Sequence, residues 1–587
     1  MNTRRLRAAI AGAAVLALGL SACGGGNNNS SSGGGGGSTT TAAFNAGLDK
    51  VFNPSDKKGG IIKIADESVP DSVDPADTYY GSQWNIIRNW ARTLTMFKIG
   101  PGSQSNDVVP DLAESLGKTD DNGKTWTYKL KKGLKFEDGT PITAKDVSYG
   151  VQRSFDKAIY PDGPTYFNDM LNWPANYKGP YQSKGMDVSS AIETPDDTTI
   201  IFHLKKPFSG FDYVLTTPQD APYPAAQDKG AKTKEHVISS GPYMFSDYQE
   251  GKSYTLKRNP NWDPATDPNR KALPDGFDVQ MNVNAEDIDN RIIAGDLDIA
   301  ITGTGVTTAT QSRVLADPNL KARADNPTLT RTWYASINPT VKPLDNIECR
   351  KAIMLGMDKV AYQTAYGGEF AGGQLATSML PPAIPGYVKN DVFATPDSKG
   401  DLNAAKEALT KCGQPNGFST NISYRSERPK EKATAEAFQQ QLAKIGIKLT
   451  PKGYPRKDYF STYLGNPPYV VKNNLGIGIN GWGADWNDGF GFLSQITDSR
   501  VIRDTGGSSN TSVRIPQVDQ WLDAAQNELD TNKRNAYWPQ IDKRVMEEAV
   551  VYPGVWARSL LVRSKNLTNI FVNAQYGMYD YVNIGHS

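Results

Sequence analysis

The chain's reactive side chains are few and widely spaced. Three cysteines, Cys23, Cys349 and Cys412, and three histidines, His203, His236 and His586, are spread over 587 residues. None stands at a ligand spacing such as His-x-x-x-His or Cys-x-x-Cys, so no metal and no cofactor is expected, and each histidine reads as a surface or hydrogen-bonded side chain. Gly476-Ile477-Gly478-Ile479-Asn480-Gly481 matches G-x-G-x-x-G, which matters only where a helix comes next and aims its N-terminus at a pyrophosphate. The next residues are Trp482-Gly483-Ala484-Asp485-Trp486-Asn487-Asp488-Gly489, a turn-rich run of poor helix formers, so the match is read as chance. The mature chain has no G-x-S-x-G, Walker A or H-E-x-x-H sequence, and no catalytic residue is assigned. A hydrolase working with paired carboxylates has no positive support, although 63 acidic residues leave room for such a pair. The run does place one carboxylate, Asp485, between two indoles, Trp482 and Trp486, which can shield a charge pair from water and wall an apolar pocket. The alternative role for Asp485 is to stabilise a turn in a glycine-rich loop.

Cys23 stands apart from the other cysteines, near the N-terminus. Arg4, Arg5 and Arg7 precede an apolar stretch from Ala8 to Leu20, too short to span a bilayer stably and suited to a signal-peptide core. It ends in Leu20-Ser21-Ala22-Cys23, similar to a bacterial lipobox, in which the cysteine thiol carries a lipid. Residues 1–22 are therefore read as a lipoprotein signal peptide for the general secretory route. Residues 23–58 are read as the lipidated cysteine and a flexible tether, which is rich in Gly, Ser and Asn and has an r.m.s. reach of roughly 25 Å over its first 20 or so residues. Outside the membrane Cys349 and Cys412, the two cysteines that remain, are free to oxidise. Each lies at the end of an expected helix, and a disulfide between them is expected, with two buried thiols as the alternative.

The elements that must position these residues alternate between strand and helix from Gly59 onward. Gly60 to Ala65 reads as a strand and Trp84 to Leu94 as a helix. Asn122-Gly123 is a hairpin-turn dipeptide followed by alternating Trp126, Tyr128 and Leu130, then Phe136 and the turn Asp138-Gly139-Thr140-Pro141, implying a two-stranded element. Thr143 with Asp146 offers a cap for a helix carrying Val147, Val151 and Phe155 on one face. Asp345 with Glu348 resembles a capping box for the helix Cys349 to Met357, and Leu402 to Leu409 and Ala433 to Ile445 read as two more. A chain of this length exceeds what one core supports, so two or more lobes are expected. With 64 basic and 63 acidic residues and no basic stripe, nucleic acid is not an expected partner; removing residues 1–22 brings the formal charge from +1 to −2.

Several collinear stretches resemble the large extracytoplasmic solute-binding proteins of peptide-type ABC importers, solute-binding family 5. They are Pro110 to Ser115, Thr125 to Leu130 with Phe136, Asp138 to Pro141 and Ala144 to Val147, then Ser240 to Tyr243, Arg258 to Pro260, Pro343 to Asp345 with Arg350 to Ile353, and Gly481-Trp482 with Asp485. The resemblance implies an α/β fold, a two-lobed clamshell like the periplasmic binding proteins (large, type II) with an extra α/β subdomain on the first lobe. Lobe I then comprises residues 59–330 with the subdomain near 106–225, lobe II residues 331–553, and residues 554–587 return to lobe I. A ligand sits between the lobes and is buried when they close.

Carried over residue by residue, Asp485 matches the position that receives the α-ammonium of a bound peptide. Gly481, Trp482 and Gly483 match a segment that pairs with an extended peptide as an added strand, Tyr79, Tyr80 and Gly81 match the facing segment of lobe I, and Trp486 adds a wall. The chain departs from oligopeptide binders that carry an arginine six residues before this aspartate, since Ile479 stands there. The implied protein is a monomeric receptor, not an enzyme. It is held by its lipid on the outer face of a bacterial cytoplasmic membrane and passes a peptide or other small solute to ABC permease subunits. A secreted surface hydrolase and a peptide-signal sensor are the competing readings.

Overall fold

The computed structural model describes residues 43–301 and 303–587. Cys23, the apolar stretch and the polar tether up to residue 42 lie outside the described residues. The body is a mixed α/β clamshell built on two sheets. The first has five strands in the order Ile299–Ile301, Ile61–Asp66, Gly276–Gln280, Ser253–Arg258 and Tyr243–Gln249. Ile61–Asp66 is parallel to both its neighbours, and the other two contacts are antiparallel. The second sheet has six strands in the order Gly373–Leu375, Val551–Arg558, Thr328–Ile337, Leu475–Gly483, Ser419–Arg425 and Lys448–Tyr454. The strands Thr328–Ile337 and Val551–Arg558 are mostly buried, as expected of strands covered on both faces. Thr328–Ile337 carries the chain into this second sheet and Val551–Arg558 carries it out. Beyond Arg558 the chain packs back on the first lobe, where Tyr581 Oη donates to Ala300 O (2.8 Å) and Arg88 pairs with Asp580 (2.8 Å).

The sequence signals locate most elements and misplace some ends. Asn122 and Gly123 turn the chain with φ of 59° and 88°, a left-handed pair that glycine tolerates without penalty. Lys118 and Thr127 exchange backbone hydrogen bonds across that turn. The strand Thr125–Lys129, however, finds its main partner far along the chain in Thr199–His203, which also pairs with Ile192–Glu193, so the element has three strands rather than two. The helix expected over Trp84 to Leu94 is only Gly81–Ile87. It stops because the carbonyls of Asn89 and Trp90 accept from Tyr243, Ser240 and Gly241 instead of continuing a helical ladder. The helix Ala144–Phe155 forms as expected, with Asp146 Oδ2 accepting from the backbone N–H of Thr143 (2.8 Å). The helix Ile347–Gly356 is capped by Asn346, whose side chain accepts from Glu348 N, and not by Asp345. Residues 44–53, counted with the tether on composition, are docked: Phe44 stacks on Phe370 with centroids 6.0 Å apart, and Phe52 lies under the Arg563 guanidinium. These rings, with backbone hydrogen bonds exchanged between Phe52 and Ile570 and one from Asn45 N to Ala324 O, bring this end of the linker onto the body. No helix among the described residues is long and apolar enough to cross a membrane.

Cys349, in the first turn of Ile347–Gly356, is joined to Cys412 at the end of the helix Leu402–Lys411, with Cα atoms 5.3 Å apart and a sequence separation of 63. Closing so long a loop removes chain entropy from the unfolded state, worth about 4 kcal/mol. Replacing both cysteines with alanine should lower the denaturation midpoint by a free energy of that order. Thiol titration of the wild-type protein unfolded without reductant should find no reactive pair; two titratable thiols would remove the bridge.

Candidate functional site

The site is built around the end of the strand Leu475–Gly483. Gly481 is required there by packing: a Cβ at this position would stand 1.9 Å from the ring of Trp333 on the neighbouring strand. On one edge this strand is paired along its length with Thr328–Ile337, Gly481 facing Trp333 and Gly483 facing Arg331. On the other edge its pairing with Ser419–Arg425 ends at Gly478. Residues 481–483 therefore present one edge without a strand partner among the described residues. The G-x-G-x-x-G stretch lies inside this buried strand, and no dinucleotide cradle is formed. Ile479 is fully buried and faces Ala335, so its side chain belongs to the core.

Asp485 follows the strand by two residues, with its N–H on the Gly491 carbonyl (3.0 Å). Local turn stabilisation falls to Asp488, which caps the helix Gly489–Thr497 through Phe490 N (2.8 Å). The carboxylate of Asp485 reaches across to the opposite lobe, where Oδ2 accepts from Tyr79 Oη (2.7 Å) and Tyr166 Oη (2.6 Å). No donor among the described residues reaches Oδ1, and no cation pairs with this group. Asp485 is only 7% exposed. Burial pushes its pKa up to about 7 in spite of the two phenolic donors, and burial beside the carboxylate pushes both phenols well above their usual range.

Each expected residue has a definite place. Tyr79 is held by Asp71, whose carboxylate accepts from Tyr79 N and from Thr78 Oγ1, and its ring lies between Trp84 (stacked, 5.4 Å) and the edge of Trp482 (5.4 Å). Tyr80 donates to Arg456 O (3.2 Å) with the Arg456 guanidinium over its ring, and Gly81 starts the short helix beside it. Tyr79, Tyr80, Gly81, Gly481, Trp482, Gly483 and Asp485 all line one cleft of about 870 Å3 of atom-free space, its open mouth included. Trp486 does not line it. One step past Asp485 on the turn, its ring points into the core, stacked near Tyr213 and Phe490 and 5.0 Å from Tyr166. It seats a residue that holds Asp485 and is not itself a wall.

Sequence reasoning missed the rest of the site, chiefly Tyr166, Gln575, Arg331, Arg425 and Arg428. Gln575, from the C-terminal return, donates to the carbonyls of Ala484 (2.8 Å) and Asp485 (3.0 Å) and fixes the loop from behind. Arg428 pairs with Glu67 (3.3 Å) and Arg456 with Asp66 (3.1 Å), tying the second lobe to the end of strand Ile61–Asp66 in the first. An arginine inside an otherwise buried strand, as at Arg331, was the available signal. Among the described residues no cluster of three metal-ligating side chains occurs. The arrangement can hold a solute carrying a cation near Asp485 and hydrogen-bonding groups along residues 481–483.

Residues 107–503 match the model of the bacterial extracellular solute-binding proteins, family 5, middle region. Among solved structures, the clavulanic acid biosynthesis oligopeptide binding protein 2 aligns with a TM-score of 0.84 at 38% identity, covering 94% of this chain and 99% of that one. The ABC transporter-associated periplasmic binding protein DppA from Helicobacter pylori, in complex with peptide STSA, aligns with a TM-score of 0.76 at 22% identity over 90% of this chain and 99% of that one, a likeness of fold. A probable D,D-dipeptide-binding periplasmic protein of Escherichia coli (strain K12) is 26% identical over 499 residues, 83% of this chain and 87% of its own length.

The carboxyl of Asp485 carries a raised pKa in the folded protein, so its contribution to stability is fully present below the unfolded value near 4 and is lost as pH rises through about 7. Glu67 titrates near pH 7 as well, as does Asp77, so the effect must be read against a variant. The ligand-free wild type should lose stability relative to Asp485→Asn on the order of 4 kcal/mol between pH 4 and 8. Melting curves of the two proteins across that range test this; parallel curves would mean that Asp485 is ionised throughout.

Proposed function

The chain belongs to the bacterial extracellular solute-binding proteins of family 5, and from that premise we propose that it captures a peptide between its two lobes and hands it to an ABC permease. In this reading lobe II runs from Thr328 to Arg558, since the expected boundaries at 330 and 553 fall inside two strands of its sheet, the residues from 59 up to it and from 559 to 587 form lobe I, and Cys23 carries the lipid that keeps the receptor at the outer face of the membrane. The observation that carries the peptide reading is the state of Asp485. A carboxylate 7% exposed, bonded on one oxygen by two phenols and lacking any cation, lines an interlobe cleft beside an open strand edge. A peptide's α-ammonium supplies the missing charge in a charge-assisted hydrogen bond to Oδ1, and its backbone meets the free edge of residues 481–483. Tyr79 and Tyr166 position the carboxylate, and Trp482 with Tyr79 keeps water from the pair. Relatives described as binding oligopeptides and a D,D-dipeptide support the same ligand class.

Truncating Asp485→Ala should weaken peptide binding by about 2 to 5 kcal/mol, because the ammonium is then buried without a partner. Acetylating the peptide N-terminus should weaken wild-type binding comparably and leave the variant nearly unaffected, since both changes delete one interaction. Calorimetric titration gives all four affinities, and equal acetylation losses in both proteins would return Asp485 to a purely structural part. Separately, Cys23→Ser should move the protein from the membrane fraction to the soluble fraction of the producing cells; retention in the membrane would defeat the anchor.

A further inference from the structure

Residues 43–53 pack where the two lobes join. The crossings between the lobes lie side by side there: Ala324–Asp325, just before the strand Thr328–Ile337, pairs antiparallel with Leu561–Val562, just after Val551–Arg558. Asp325 is fully buried and ties both crossings to the incoming segment. Its carboxylate accepts from Gly47 N (2.8 Å) and Tyr579 Oη (2.7 Å) and pairs with Arg563 (2.5 Å). Backbone bonds fix the segment on the first lobe: Asn45 N donates to Ala324 O (3.0 Å), Val572 N donates to Gly47 O (2.7 Å), and Phe52 and Ile570 bond to each other in both directions (2.7 and 3.0 Å).

One side chain of this segment reaches the other lobe. The Phe44 ring stacks on Phe370, with centroids 6.0 Å and planes 21° apart, and the Lys321 ammonium of the first lobe lies 5.4 Å from the Phe44 centroid. Phe370 belongs to the helix Gly368–Ala371, which leads into Gly373–Leu375, an edge strand of the six-stranded sheet. Asn326, in the crossing itself, connects the two sides: its backbone N–H donates to Asn45 Oδ1 (2.8 Å) and its side-chain amide to the Phe370 carbonyl (2.9 Å). Both rings pack on an apolar cluster that already mixes the lobes, with Ala324 and Leu560 from the first and Ala371 from the second.

A second lobe that turns about these crossings carries Phe370 with it, while backbone bonds keep Phe44 on the first lobe. A contact made in only one of two arrangements shifts the equilibrium between them by its own free energy. We propose that residues 43–53 form a strap across the hinge whose clasp, the Phe44–Phe370 stack, is kept in the lobe arrangement that brings Tyr79 and Tyr166 to Asp485 and parts when the lobes separate. The strap goes beyond the peptide reading, because it acts on whatever solute the lobes enclose.

The test uses the full-length protein. Small-angle scattering reads the lobe spacing without ligand, and calorimetry reads the affinity for the best binder retained from an equimolar library of free di- to hexapeptides. Phe44→Ala should expand the ligand-free protein and weaken binding about 5-fold, the worth of one aromatic pair. Phe370→Ala should do the same, and the double variant should bind no more weakly than either single one, since both changes delete one contact. Phe44→Leu, which keeps an apolar side chain at the clasp, should lie between wild type and Phe44→Ala. Unchanged scattering together with unchanged affinity, single losses that add in the double variant, or a lowered melting temperature with neither of the other changes would overturn the strap. Retention of no peptide would remove the peptide reading instead, and the ligand-free profiles would then decide alone: identical curves for wild type and Phe44→Ala would overturn the strap.

Discussion

A carboxylate removed from water costs several kcal/mol unless something answers its charge, and the cleft of this protein is organised around one that is only half answered. Tyr79 and Tyr166 donate to Oδ2 of Asp485 from the lobe opposite the one that carries it. Phenols ease the burial of the anion without cancelling its charge, and its pKa stays near 7. Near neutral pH this group is therefore divided between a protonated state that suits the fold and an ionised state that suits a cation. In the proposed reading a ligand ammonium favours the ionised state where both lobes are in place, and that differential affinity is what shifts the lobes toward closure.

The arginines of the same lobe pose the mirror problem. Arg331, Arg425 and Arg428 share one face of the cleft, and like charges at close range raise the cost of each other's burial. The helix Pro429–Ala443 relieves two of them by placing Glu431 beside Arg425 and Arg428, and Glu67 comes from the other lobe to Arg428. Because Glu67 and Asp66 lie at the end of one first-lobe strand, their pairs with Arg428 and Arg456 also hold the lobes together. Charge here therefore serves as a contact between the lobes.

Much of this could be read along the chain because the informative residues are close neighbours in sequence. Gly481 to Asp485 form one segment, Tyr79 to Gly81 another, and the collinear motifs fix which segments face each other, so both segments meet at the cleft. What could not be read depends on long-range contacts. Tyr166 is 319 positions from the carboxylate it serves, and no local pattern marks it out from the chain's other tyrosines. Arg331 becomes informative only once its strand is known to pair with Gly483, and Trp486 changes from wall to core because a single step along a turn reverses the direction of a side chain. Element ends failed for a related reason: the helix after Gly81 stops where Asn89 and Trp90 give their carbonyls to residues 240–243, a tertiary choice that local helix propensity does not record.

The two unanswered charges both belong to the six-stranded sheet, Arg331 on a strand that links the lobes and Asp485 just beyond its neighbour. The close packing of this surface, with Gly481 under the Trp333 ring, leaves it little room to adjust. The first lobe contributes Tyr79, Tyr80, Gly81 and Tyr166, which meet this surface across the cleft. In the proposed reading the phenols of the first lobe and the carboxylate of the second act on one ligand charge, and the exclusion of water between them strengthens that ion pair. In that reading a solute without a cation leaves the Asp485 charge buried and unpaired when the lobes come together, so the cleft discriminates most strongly at that step.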